Sequence, residues 1–398
     1  MSTIIDNTTF LSLLKQKYST QKVEKMIFAD NPFFAMVKKL KDWTGSTYEH
    51  PVIHGSSQGR SATYSNAVSN VSEINAIRWS LSSVTNYAQA SVAGETIRSS
   101  KDGESFFRAV ELEVDLQLKN MAEDTEIAMF GDGSGQRGII ATGGISTNVV
   151  TLATVTDALN FERDQTIVSG QAGVASGSAH VVTAVDYDAG TVTFDSTVLA
   201  GAAWAAGDQL YVQGDANKKL SGLASWLPAT APGASTFFGV DRSVNPTRLG
   251  GIRFDGSALN IREAVIGAST RAAQLGGRPD TLLLSYGKFS DLLNLIGDRA
   301  LQMNSFKVGE VGFESVKFYG PRGAIDVVPD RACPDNVAYL LQKDTWFLAS
   351  RGEPISLDQT DGLRLIRDAT KDQYNMKFSS YYQLGCSAPG FNCRIKLS

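Results

Sequence analysis

The sequence predicts an α+β fold built around one long helix, and three observations predict it. The stretch from Ser99 to Gly138 keeps apolar residues at Phe106, Val110, Val114 and Leu118, with Phe107 and Met121 on the same side, which is a helical period held over several turns. The block after it, residues 139–225, is a series of short β-branched runs split by glycine-rich turns. Beyond that, a helix, a continuous apolar run and a second helix follow one another in LNIREAVIGASTRAAQLGG, TLLL and YGKFSDLLNLI.

Each element has a local cause. In the long helix Asp102 and Glu104 stand in the first turn, where carboxylates complement the helix dipole. Gly131 follows the last apolar residues and is expected to take a left-handed cap conformation. Roughly thirty helical residues would span about 45 Å, the length of a strut.

Ahead of it, residues 1–44 contain TTFLSLLKQKYS, with Phe10, Leu13 and Leu14 on one side, and NPFFAMVKKLKDW, in which Asn31-Pro32 is a helix start. Residues 45–98 are rich in Ser, Asn, Ala and Thr and alternate at Ala76–Leu81 and Asn86–Ala90. They read as a hairpin, Thr47–Ser57 out and Asn75–Val92 back; the competing reading is a disordered linker. A lone two-stranded hairpin is marginal in water and needs a partner surface.

In the block 139–225, NVVTLAT, HVVTAVDYDAGTVTFDS and DQLYVQGD are short strands, and Asp188-Ala189-Gly190 between alternating runs is a hairpin signal. Many short strands in so few residues predict a small antiparallel barrel or sandwich. The flanks GDGSGQRG and GDANKKLSGLASW are the necks of an insertion and should lie close together in space, with Trp226-Leu227-Pro228 returning the chain to the main body. Residues 226–314 switch to α/β: Ile261, Val265 and Ile266 point inward from the first helix and Gly276-Gly277 end it, Thr281–Leu284 is a buried strand, and Phe289, Leu292, Leu293 and Ile296 face inward from the second helix. Residues 315–398 return to strands at Ser315–Tyr319, Ala324–Val328, Val337–Gln342 and Thr345–Leu348, then close with a long strand, a loop at Pro389-Gly390 and a last strand.

Composition narrows the function. The chain has 398 residues, 42% hydrophobic and 20% charged, and 37 basic against 41 acidic side chains give a net charge of −4. The length implies two or three compact units, and the acidic balance argues against a surface devoted to nucleic acid. Three cysteines without metal spacing, Cys333, Cys386 and Cys393, read as reduced thiols. MSTIIDNTTF lacks the basic and apolar regions of a signal peptide, and no apolar run is long enough to span a membrane. A soluble, cytosolically made protein is therefore expected.

Catalytic motifs fail on context. Gly55–Gly59 matches G-x-S-x-G but lacks the strand before and helix after that a nucleophile elbow needs. Gly133, Gly135 and Gly138 match G-x-G-x-x-G, yet follow a helix and precede strands, the reverse of a dinucleotide fingerprint. His50 and His54 straddle Pro51, and with only His180 besides no zinc triad is expected. Asp186 and Asp188 lack the further oxygen ligands of a calcium loop. No catalytic, cofactor or metal residues are assigned, and the chain is not expected to be an enzyme.

Taken in order, the long helix ending at GDGSGQRG, the β block and the helix–GRPDTLLLS–helix unit resemble the major capsid proteins of tailed bacteriophages, the Hong Kong 97-type fold. The resemblance implies an N-terminal arm (1–44), an extended loop (45–98), the spine helix of a peripheral domain (99–138), an inserted β domain (139–225), an axial domain (226–314), and the axial remainder with closing strands that complete the sheet beside the spine (315–398). It implies a structural subunit assembling as hexamers and pentamers into an icosahedral phage head around double-stranded DNA, made in the host bacterial cytoplasm and ending in the virion. Implied partners are other copies, a separate scaffolding protein (the chain opens directly on the arm), a portal, decoration or cement proteins, and the packaged DNA. Phe10, Leu13, Phe33, Phe34 and Trp43 in the arm and Tyr64, Trp79 and Tyr87 in the loop are the expected intersubunit contacts, each reading equally as part of a local core; Lys15, Lys17, Lys22 and Lys25 are the expected DNA-facing residues. No lysine lies between Lys41 and Lys101, so the isopeptide cross-link that the fold's namesake forms from its loop has no donor here. The alternatives are a cellular nanocompartment shell of the same fold and, in a different class, a ligand-binding or enzymatic protein with a β-domain insert.

Overall fold

The computed structural model describes residues 31–398 apart from 56–57, 73–74, 94–102, 200–202, 297–302, 309–310, 358–365 and 368–369. The long helix runs Gly103–Phe130, about 42 Å at 1.5 Å per residue. Val114, Leu118, Met121, Ala122, Met129 and Phe130 are buried from it while Leu116 is exposed, the one-sided pattern of a helix laid on a sheet. Phe106, Phe107 and Val110 fall outside the described side chains. The helix stops as Gly131 N–H turns back to the carbonyls of Ile127 and Ala128. The left-handed residue expected at Gly131 is instead Gly133, with φ 89°.

The helix packs on a six-stranded sheet whose central member is the 14-residue strand Gln373–Cys386. That strand pairs antiparallel with Val84–Ala93 on one side, Phe378 opposite Ala88, and with Trp346–Ser350 on the other, Leu348 opposite Leu384. Lys38–Leu40 extends the sheet in parallel with Trp346–Ser350.

Six strands then close into an antiparallel barrel, in the order Gln209–Val212, Gln136–Ser146, Val149–Leu152, Thr191–Phe194, Val174–Asp186 and Thr166–Gln171. Its interior holds Ile140, Val150, Ile167, Val182, Val192, Phe194 and Leu210, with Phe161 and Trp204 beside them. The Asp188-Ala189-Gly190 turn forms as expected: Asp186 Oδ1 accepts from the N–H groups of Asp188 and Ala189, and Gly190 is left-handed at φ 66°. The two necks touch. Asn217 N–H donates to Ser134 O over 2.7 Å, and any Cβ on Gly135 would lie 2.7 Å from Asp215 O, so the necks form one stalk.

The α/β body is a seven-stranded sheet in the order Ile252–Asp255, Cys393–Lys396, Val337–Leu341, Thr281–Leu284, Gly323–Pro329, Val311–Gly320 and Met303–Val308. Thr281–Leu284 is central and buried along its whole length, as a continuous apolar run between two layers should be. The helix Ile261–Gln274, capped by Asn260 Oδ1 on Glu263 N–H, buries Ile261, Ala264, Val265 and Ala268; Ile266, expected inward, is 41% exposed because it falls off that stripe. The closing strands divide between the sheets. The long one lies beside the spine helix, but Cys393–Lys396 enters the α/β sheet between Ile252–Asp255 and Val337–Leu341.

Candidate assembly surfaces

The hairpin forms from Thr47–Gly55 and Asn75–Ser82 in antiparallel register, His50 opposite Trp79 and Val52 opposite Ile77. Its return arm is shorter than the expected run to Val92, because Val84–Ala93 leaves the hairpin for the spine sheet. Its root does not hang free. Trp79, 1% exposed, packs edge-on against Trp226 at 5.0 Å and Phe237 at 6.1 Å between ring centroids, and Ser80 N–H donates to Phe238 O. Tyr48 and His50 lie on Phe347, and Tyr48 also meets Trp43; burial against that wall lowers the His50 pKa. Arg248 Nη1 donates to the His54 carbonyl over 3.0 Å, tying the far end of the strand to the α/β body.

Four of the expected intersubunit contacts are therefore corrected. Phe33, Phe34, Trp43 and Trp79 are 2%, 0%, 5% and 1% exposed and belong to the chain's own core. Phe33 meets Phe130 and Trp346, while Arg351 lies over the Trp43 ring. Phe10, Leu13, Lys15, Lys17, Lys22 and Lys25 lie outside the described residues.

Beyond the root the hairpin carries the short helix Tyr64–Ser69. Tyr64 is 86% exposed, and Ile53, Val68 and Val71 are also uncovered. The loop is held in shape by Gly59 N–H on Asn70 O and Ser69 Oγ on Ser65 O. Tyr64 and Val68 belong to this helix, Val71 follows it, and Ile53 lies on the strand Thr47–Gly55. Sequence reasoning named only Tyr64 of these four; the Val68 and Val71 signal was their place in a polar stretch. Tyr87 is half exposed on the outer face of Val84–Ala93, its hydroxyl 2.9 Å from that of Tyr381 and its ring under the Lys377 ammonium.

The barrel is joined to the spine by charge. Asp124 on the long helix accepts from Arg137 at the barrel's first strand, from Lys219 of the return neck (2.6 Å) and from Asn86 Nδ2 (2.7 Å), and Lys219 also pairs with Asp215 (2.9 Å). Lining the same cleft as Asp124 and Lys219, Arg331 of the α/β body donates to Leu159 O over 2.7 Å and pairs with Glu123. Between barrel, helix end and α/β body a cleft of about 420 Å³ is lined by Asp157, Asp335, Arg331 and Tyr286 among others. Burial, and then the charge of Asp335, lift the Asp157 pKa to about 6.

Among the described residues no three His, Cys, Asp or Glu side chains are grouped to hold a metal ion, and no helix is long and apolar enough to cross a membrane. Gly133 and Gly135 shape the stalk. Cys333, Cys386 and Cys393 are free and buried.

No family model and no curated protein matches the chain. Among solved structures it is similar to a chain of the cyanophage A-1(L) capsid asymmetric unit, with a TM-score of 0.53 at 14% identity over 92% of this chain and 93% of that one. Further likenesses are to an encapsulin complex from Synechococcus elongatus (TM-score 0.46, 9% identity, 92% and 86% covered) and to the capsid of a native GTA particle (TM-score 0.45, 10% identity, 92% and 89% covered). Spine helix, hairpin, α/β body and closing strands together make this a phage capsid protein fold.

Proposed function

We propose that the chain is a non-enzymatic shell subunit, the major capsid protein of a tailed phage, forming hexamers and pentamers of an icosahedral head around double-stranded DNA. The observation that carries this reading is the end-to-end likeness to the cyanophage capsid chain, which spans both chains almost completely. The hairpin tip supplies a mechanism. Tyr64, Val68, Val71 and Ile53 are large, apolar and exposed, and each would gain about 2 kcal/mol on burial against a neighbouring copy. Repetition over a closed symmetric shell turns such modest contacts into a stable particle. Tyr87 is a second contact on the same reading, with Phe10 and Leu13 beyond the described residues. A scaffolding protein, a portal, decoration proteins and DNA held through the N-terminal lysines complete the proposed partners, and the virion is the proposed location.

Sedimentation and negative-stain imaging of the purified protein test this. Megadalton shells or capsomer rings are expected, with DNA as content; a protein cargo instead would indicate a nanocompartment. A well-behaved species of one or two 42.7 kDa chains, unchanged when scaffold is supplied, would sink the proposal. Tyr64→Ser with Val68→Ser should abolish shells while moving the stability of the single chain by no more than about 0.5 kcal/mol.

A further inference from the structure

The first described helix, Pro32–Met36, is fastened to the body by a buried pair of carboxyl groups. Glu126 of the long helix is 3% exposed, and Asp330, just past the strand Gly323–Pro329, is 1% exposed. Glu126 Oε1 accepts from Phe33 N–H over 3.1 Å and Oε2 from Phe34 N–H over 2.9 Å, where Asn31 provides no side-chain cap. Asp330 Oδ1 accepts from Ala332 N–H over 2.9 Å. Its Oδ2 is buried with no donor, beside the Glu126 carboxyl.

No cation faces the pair among the described residues. Lys39, at the far end of the short helix, donates to the carbonyls of Phe34 and Ala35. Arg331, next in sequence to Asp330, turns to Leu159 O and Glu123. Arg394, on the α/β sheet, turns to Leu227 O and the Tyr339 ring. The remaining titratable neighbours, Cys333, Tyr339 and Asp335, bring no positive charge. Two ionised carboxylates cannot share a dry site without a counter-charge.

We propose that Glu126 and Asp330 share one proton between Asp330 Oδ2 and the Glu126 carboxyl, and that this proton latches residues 31–37 to the body. The inference does not depend on shell formation. Burial, and then the negative charge of Asp330, push the Glu126 carboxyl well above its ordinary range, and burial raises Asp330 as well. The sign follows. Because the latched pair holds its proton more tightly than free carboxyls do, the latch is complete below the ordinary carboxylate range. It weakens as pH rises through the raised value of the pair.

The test is amide exchange at Phe33–Val37 in the full chain, corrected for intrinsic rates, from about pH 5 to about pH 9. Protection should fall by up to about tenfold per pH unit from the ordinary carboxylate range up to the raised value of the pair, and level off above it. Asp330→Asn should remove that fall, because its Nδ2 takes the place of the orphaned oxygen and donates permanently while Oδ1 still serves Ala332. Protection in the native chain that is flat with pH, or that falls equally in Asp330→Asn, would overturn the proposal. Should that variant not fold, infrared spectroscopy of the native chain decides: a protonated-carboxyl C=O stretch must be present at neutral pH and vanish at alkaline pH, and its absence refutes the shared proton.

Discussion

Truncating Asn392 should unfasten the two sheets from each other. The chain crosses directly between them twice, at Lys343–Thr345 and at Pro389–Phe391, and Asn392, 0% exposed, binds both of these crossings. Its Oδ1 accepts from Gln342 N–H (2.8 Å) and from the Trp346 indole N–H (2.9 Å), and its Nδ2 donates to Ala388 O (2.9 Å) and Thr345 Oγ1 (3.1 Å). Asn392→Ala strands two buried donors, each costing about 1–3 kcal/mol, and leaves a small void besides. A loss of about 5 kcal/mol is expected, a large share of the whole stability of an ordinary domain. The assay is the urea midpoint together with amide exchange at Gln342, whose N–H loses its acceptor. In the Asn392→Ala background Trp346→Phe should cost about 1–2 kcal/mol less than in the native chain, since the orphaned indole donor is gone. A loss below about 1 kcal/mol, with Gln342 still protected, would refute the assignment of Asn392 as the fastener.

Two further outcomes concern the barrel. Lys219→Met removes the ammonium that Asp124 and Asp215 share inside the joint; it should cost about 3 kcal/mol and open the stretch from Gly214 to Ser221 to limited proteolysis. Asp157, lifted from 3.8 to about 6 in the docked barrel, makes docking most favourable below the unperturbed value and progressively weaker as pH rises through about 6. Asp157→Asn should therefore raise stability by about 3 kcal/mol above pH 7 and by almost nothing near pH 4; a thermal midpoint that shifts equally at both pH values would refute the raised titration of Asp157 in the docked barrel.

What the sequence revealed and what it hid have physical causes. Period-two runs split by a glycine-bearing turn gave the barrel, and a four-residue apolar run between two amphipathic helices gave the centre of the α/β sheet, because side-chain direction is set locally. Which sheet a strand joins is not local. Lys343-Asp344 looks like an ordinary turn between Val337–Leu341 and Trp346–Ser350, yet those strands lie in different sheets, and the residue that decides it, Asn392, stands some fifty positions away. The same limit applies to Phe33, Phe34, Trp43 and Trp79. An aromatic side chain must be buried, but its sequence does not say whether its own chain or a neighbour covers it. The nearest signal was the company of Trp226 and Trp346, which could already supply an aromatic core. The Glu126–Asp330 pair had no sequence signal at all, since two carboxylates 204 positions apart meet only through the fold.

The division of the hairpin into a buried root and an uncovered tip bears directly on how such a chain could assemble. A two-stranded ribbon alone is too weak to hold a shape. Here Trp79, Leu81 and Ile77 on the inward side clamp the root onto Trp226, Phe237 and neighbouring core residues, and the Arg248–His54 bond holds the far end. On the proposed shell reading, the Tyr64 tip would then be held by its own subunit before a neighbour meets it, and the ordering entropy of such a contact would be met within the subunit rather than at the interface. Root and tip should then separate by experiment. Trp79→Ala should destabilise the chain by about 3–5 kcal/mol and lose assembly as a consequence, whereas the tip substitutions should lose assembly alone. Equal effects of both on the unassembled chain would mean that the tip, like the root, is core.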